Sequence, residues 1–130
     1  MKTEEIYQFL RKHIGDYYVF SDEEWEDISS YFHVKKAKKH EFLIEQGQHT
    51  RDSFFIVSGI IKAYELDENG KEYIIQFARE NYWVGDFAAI ILGRAAILNI
   101  DCVEDCVVLV LSEKAKNDLC AKYIDFANFF

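Results

Sequence analysis

The run Cys106-Val107-Val108-Leu109-Val110-Leu111 constrains the fold more than any other stretch of the chain. It reads as a strand, and successive strand side chains point to opposite faces of a sheet. A strand with no polar member has no face to offer water, so it must be covered on both sides. The chain therefore needs a sheet with one packed layer above it and another below.

The residues around that run supply short strands. Phe42-Leu43-Ile44 stops at Gly47, and Phe54 to Val57 stops at Gly59. Ile60 to Leu66 and Lys71 to Ala78 flank Asp67-Glu68-Asn69-Gly70, where an Asn-Gly pair signals a hairpin with positive φ at both residues. Ile97 to Val103 leads through the acidic turn Glu104-Asp105 into the apolar run. Tyr73, Ile75 and Phe77 alternate with Glu72 and Gln76, which places the three apolar residues on one face.

Helices sit at both ends. Ile6, Phe9, Leu10 and Ile14 recur at helical spacing, and Gly15 ends the pattern as a residue tolerant of positive φ. Ser21 and Glu24 form a capping box ahead of Trp25, Ile28 and Phe32. Gly85 to Gly93 carries Phe87, Ile90 and Ile91 at short-helix spacing. Ser112 caps a last helix in which Ala115, Leu119 and Tyr123 stand four apart. Helices at both ends of many short strands predict a mainly β fold: an antiparallel jelly-roll barrel with N-terminal helices and a C-terminal helix.

Composition narrows the function. Half of the 130 residues are apolar, which excludes a disordered chain. Fifteen basic residues against 23 acidic ones leave a formal charge of −8, the wrong sign for a broad grip on a phosphate backbone. One small anion held by local groups remains compatible with it. No apolar stretch approaches the ~20 residues of a membrane-spanning helix, and the charged N-terminus is no secretory signal. With three cysteines, Cys102, Cys106 and Cys120, in a chain that folds without staples, a reducing cytoplasm is expected.

Leu43-Ile44-Glu45-Gln46-Gly47-Gln48 followed by Phe54-Phe55-Ile56-Val57-Ser58-Gly59 resembles the first signature of cyclic-nucleotide-binding domains, with its glycines twelve residues apart. Thr50 and Ser53 depart from it, the second by replacing an apolar residue. The Asn69-Gly70 hairpin, the Val84-Gly85-Asp86 corner and the Glu104-Asp105 turn follow in the family's order. The resemblance runs from about Ser21 to Leu119 and is to the sensor half of a Crp/Fnr-type bacterial transcription regulator.

That resemblance implies a ligand site. In the family a Gly-Glu pair opens a short helix and an Arg with small residues follows. Backbone N–H groups and the guanidinium hold a cyclic phosphate, and the carboxylate accepts from the ribose hydroxyl. Here Gly85, Asp86, Arg94 and Ala95 resemble those positions, and without a gap the Arg position falls on Ala96 or Ile97. The cassette is altered: Asp86 reaches one methylene less than Glu, Arg94 comes sooner after it than in the family, and Ala95 brings no hydroxyl. For Arg94 the sequence weighs an anion clamp against a solvated charge at a helix C-terminus, which the macrodipole favours. For Asp86 it weighs a ribose acceptor against an N-cap.

Other chemistry has less support. Cys102 and Cys106 lack the CxxC spacing of a metal site and read as buried thiols. No cysteine precedes residue 102, where the family's iron–sulfur members carry a cluster. His13, His33, His40 and His49 form no H-x-H pair, and no nucleophile elbow or phosphate loop is present, so no catalytic residue and no metal are assigned. Lys35-Lys36 and Lys38-Lys39-His40 read as a solvated strand face. Tyr82, Trp83 and Phe87 are weighed as purine-stacking or core residues.

The expectation is a single sensor domain: a helical part at 1–31, a β-roll at 32–111, and at 112–130 the start of a dimerisation helix. Leu119, Tyr123, Phe126 and Phe130 would begin the pairing face of a homodimer. The ligand would be a cyclic nucleotide or another small anion, or would have been lost. In the last case the chain would be a ligand-free interaction module. DNA would be reached only through a helix-turn-helix domain that these 130 residues do not contain.

Overall fold

The computed structural model describes residues 1–130, and thirteen elements follow one another along them. Two helices come first, α1 (Thr3–Gly15) and α2 (Asp22–Ser29). Six strands follow: β1 (His33–Ala37), β2 (Phe42–Ile44), β3 (Asp52–Ser58), β4 (Ile61–Leu66), β5 (Glu72–Ala78) and β6 (Trp83–Val84). The short helix α3 (Phe87–Leu92) leads into β7 (Asn99–Cys102) and β8 (Cys106–Ser112), and α4 (Glu113–Lys122) and α5 (Ile124–Phe129) close the chain.

The strands form two four-stranded sheets, ordered β1-β8-β3-β6 and β2-β7-β4-β5, with every pairing antiparallel. This is the jelly-roll arrangement the sequence predicts, laid out as two facing sheets. β8 sits inside the first sheet with cover on both faces, as its composition requires. Its Val108 and Val110 enter the core between the sheets, while Leu109 and Leu111 enter a second core under the helices. β3 divides in the same way, with Phe54 and Ile56 inward and Phe55 and Val57 outward.

Local signals explain most boundaries. Ser21 Oγ accepts from Glu24 N at 3.1 Å and Glu24 Oε1 accepts from Ser21 N at 2.9 Å, completing the capping box of α2. Ser112 Oγ caps α4 by accepting from Ala115 N at 3.1 Å. Gly59 makes the corner between β3 and β4 with φ +99°, and a Cβ there would lie 2.5 Å from Cys106 Sγ and 2.7 Å from Asp105 O. Only glycine meets both demands.

Four local expectations come out differently. The β4–β5 turn gives positive φ to Gly70 alone, because Gly70 N donates to Asp67 O and Asp67 N to Lys71 O. That pattern is a three-residue loop with a left-handed glycine last. A register shift in the hairpin sets Phe77 opposite Lys62 but Tyr73 opposite Glu65, so Tyr73 and Phe77 lie on opposite faces. Gly15 is the last residue of α1 and stays outside the left-handed region, with Asp16 taking the C-cap in αR conformation.

The fourth concerns the end of the chain. The last helix breaks at Tyr123 (φ −123°, ψ 104°), an extended residue whose hydroxyl donates to Asp27 Oδ2 at 2.6 Å. Lys122 pairs with the same carboxylate at 2.8 Å. The break turns α5 back over the first sheet and buries Leu119 and Phe126 at 0% and 1% exposure. These two residues belong to this chain's own core and do not form an outward pairing face. Phe130 stays 42% exposed.

Candidate functional site

The cassette begins where β6 ends. Gly85 follows Val84 into a tight corner, and a Cβ on it would stand 3.4 Å from Asp52 O and from the Phe87 ring. Asp86 then opens α3 and is 2% exposed. Its Oδ1 accepts from Ala89 N at 3.1 Å, which is the N-cap the sequence proposes. Its Oδ2 accepts from Ile97 N at 2.9 Å and Leu98 N at 3.2 Å. One carboxylate thus ties the start of α3 to the irregular segment that leads into β7, and both oxygens are satisfied by backbone donors.

Helix α3 ends on Gly93 in left-handed conformation (φ 63°, ψ 35°). Gly93 N donates to Ile90 O at 3.3 Å and Arg94 N to Ala89 O at 3.0 Å, the two bonds of a Schellman cap. Arg94 is exposed and takes part in none of the five ion pairs of the chain. Ala95 is half-buried and its N–H has no acceptor. Ala96 is buried and exchanges two backbone bonds with the β2–β3 loop, Gly47 N to Ala96 O at 2.7 Å and Ala96 N to Gln48 O at 2.8 Å.

The four predicted residues therefore separate by role. Gly85 and Asp86 shape the cassette, and both Asp86 oxygens are buried and already accept from backbone N–H groups. Arg94 and Ala95 stand side by side at the helix exit with an unpaired guanidinium and an unpaired N–H. Neutral and charged donors in adjacent positions suit an oxyanion. The sequence indicated the Asp86 cap but not its second hold on Ile97 and Leu98. That contact needs the chain to return after α3, and no local motif announces the return.

The remaining candidates lie elsewhere. Cys102 and Cys106 are 1% and 2% exposed; burial pushes the Cys102 thiol up to about 12 and raises Cys106 as well. Such thiols stay protonated and unreactive. No three His, Cys, Asp or Glu side chains converge as a metal cage requires. Trp83 lies on the outer face of its sheet beside Phe55, at a centroid distance of 5.1 Å, while Tyr82 and Phe87 are 42% and 43% exposed. No helix is long and apolar enough to cross a membrane.

Residues 34–123 match the family model described as cyclic nucleotide-binding domain. The anaerobic regulatory protein of Bacillus subtilis is 25% identical over 105 residues, covering 81% of this chain; the chain spans only 44% of that protein's length. The sensor domain of the transcriptional regulator DNR from Pseudomonas aeruginosa superposes with a TM-score of 0.79 at 17% identity, covering 98% of this chain and 85% of that one. The catabolite activator protein of Thermus thermophilus gives 0.73 at 17% identity, covering 86% of this chain and 52% of that one.

Proposed function

This chain belongs to the cyclic nucleotide-binding domain family, and on that premise we propose that it is the effector-sensing part of a Crp/Fnr-type transcription regulator. Its cassette takes a small anion at Arg94 and the Ala95 N–H, with Gly85 and Asp86 as the frame that presents them. The observation that carries this reading is the contrast between a carboxylate with every oxygen engaged and two adjacent donors with none of their hydrogens engaged.

The consequence is a loss of sugar recognition. A ribose hydroxyl needs an acceptor, and Asp86 is already committed to three backbone N–H groups. Anion binding would draw Arg94 and Ala95 together at the end of α3 and so bias how α3 meets the C-terminal helices. That is how an effector shifts a two-state equilibrium. Ile91 and Leu92, 81% and 64% exposed on α3, form an apolar face that a second copy would cover in a homodimer. DNA contact would belong to a separate domain, and a cytoplasmic setting fits the free thiols.

A second reading has its own observation. Because Asp86 holds the cassette closed by internal bonds alone, the roll needs no ligand to be folded, which suits a ligand-free interaction module. Titration calorimetry with cAMP, 2′-deoxy-cAMP and inorganic phosphate, repeated on Arg94→Ala, separates the two. Anion sensing predicts measurable heat, a loss of roughly tenfold or more on Arg94→Ala, and cAMP and its 2′-deoxy form binding alike. Heat from none of the three would leave only the interaction module. A strong preference for the 2′-hydroxyl would contradict the role given to Asp86.

A further inference from the structure

A second site lies outside the roll, on the opposite face of the first sheet from the other sheet. There the helical layer leaves a cleft of about 660 Å³, a volume typical of small-molecule sites. Its walls come from the end of α1, from α3 and from α5, and its floor from β3 and β6. The walls are aromatic: Phe129 meets the His13 ring at 5.8 Å and the Trp83 ring at 6.2 Å, and Phe130 stands edge-on to Trp83 at 5.3 Å.

Three polar groups in this apolar surround lack partners of their own. Trp83 Nε1 is shielded from solvent and has no hydrogen-bond acceptor. Ser53 lines the floor at 5% exposure, at the position where the family signature has an apolar residue, and its hydroxyl stands outside the chain's hydrogen-bond network. Lys116 lies on the rim with its ammonium 5.4 Å from the Phe130 ring and belongs to none of the five ion pairs. No Asp or Glu side chain is among the residues lining the cleft.

We propose that this cleft is a binding site for a small aromatic anion, its ring held among His13, Trp83, Phe129 and Phe130 and its carboxylate met by Lys116 and Ser53. The rings offer edges and faces to a planar body, which an aliphatic chain would use less well. The two donors suit an acceptor with full negative charge and two oxygens. Phe87 and Ile91 of α3 also border the cleft, so an occupant would touch the helix that carries the cassette. The site is nonetheless distinct from Arg94 and Ala95, neither of which lines it.

The chain has two tryptophans, so indole ¹H–¹⁵N spectra of the 130-residue protein report the cleft through Trp83, with Trp25 as an internal control. Titration with naphthalene-2-carboxylate is expected to shift the Trp83 signal saturably below about 1 mM and leave Trp25 in place. Naphthalene-2-carboxamide, neutral and of the same shape, should bind at least ~10-fold more weakly. Lys116→Met keeps the stem over Phe130 and should cost the carboxylate a similar factor; Ser53→Val restores an apolar floor and should cost ~3-fold or more. An unchanged Trp25 signal certifies that each variant is folded, and Arg94→Ala should bind as the parent does. The proposal is overturned if Trp83 shows no saturable shift, if the amide binds as tightly as the acid, or if Arg94→Ala abolishes binding.

Discussion

The two cores of this molecule are built on different principles. Between the sheets, 14 buried residues are nearly all small or aliphatic, with Phe54 the single aromatic. Under the helices, 12 buried residues include Trp25, Phe32, Phe55 and Phe126, and further aromatic side chains pack half-buried around them. The inner core is held by fit: four alanines and two cysteines let the sheets approach. The outer layer is held by anchors, large rings that each bury much surface and meet edge to face. Rings joined by their edges leave gaps, and the 660 Å³ cleft is one of them. Closure on one side of the first sheet and openness on the other follow from side-chain shape.

Removing an anchor is the sharpest way to test this contrast. Phe126 is 1% exposed and meets Phe20, Tyr123, Phe129 and Phe130 at centroid distances between 5.3 and 6.5 Å. Phe126→Ala should cost about 3–5 kcal/mol by denaturant unfolding, the expected range for truncating a buried Phe. The half-exposed neighbour Phe130 should cost far less on the same change. Equal losses at the two positions would mean that the layer is spread evenly and has no anchors.

The inner core is tested by adding an atom. Gly59→Ala keeps every existing contact but places a methyl group 2.5–2.9 Å from Cys106 and Asp105 at φ +99°. The left-handed conformation alone costs an alanine roughly 1–2 kcal/mol, and overpacking adds about as much again. The expected loss is about 3 kcal/mol. The same change at Gly47, where φ is +94° but nothing stands within 4 Å of the new Cβ, should lose only the conformational part. If Gly59 and Gly47 respond alike, the corner at Cys106 has slack and the idea of a core held by fit fails.

How far the sequence shows these regions follows the same division. The inner core and the central place of β8 were legible because period-two patterning and a strand with no polar face are local facts. Capping at Ser21, Asp86 and Ser112 was legible for the same reason, since the cap and its partner are three residues apart. The break at Tyr123 was not. It depends on Asp27 accepting from Tyr123 across 96 residues, and the helical spacing of Ala115, Leu119 and Tyr123 pointed to one unbroken helix. Of the cassette, the Asp86 cap was legible, while the hold of Asp86 on Ile97 and Leu98 needed the tertiary return. In the sequence, Trp83 falls with Tyr82 and Phe87 into one aromatic group. A two-residue strand sends Val84 inward and Trp83 outward, and that assignment comes from pairing with β3.

The smallest expected effect separates the two regions by pH. His13 belongs to the open side, with its ring 4.9 Å from Phe55 and 5.8 Å from Phe129. Burial among these rings disfavours the imidazolium and holds its pKa below the usual histidine value, with Asp16 opposing in part. Between that lowered value and the ordinary ~6.5, the unfolded chain binds more protons than the folded one. Stability must then fall as the pH drops through 6.5 and level off below the folded value. The side chain is half-exposed, so water screens the effect and it stays smaller than either substitution above. Urea midpoints at pH 7.5 and 5.5 should therefore fall slightly with acid in the parent, and His13→Gln should remove that part of the slope. Gly59→Ala should shift both midpoints together and keep the slope, since the inner core buries no histidine. A slope unchanged by His13→Gln would show that the open side does not sense protons through this ring.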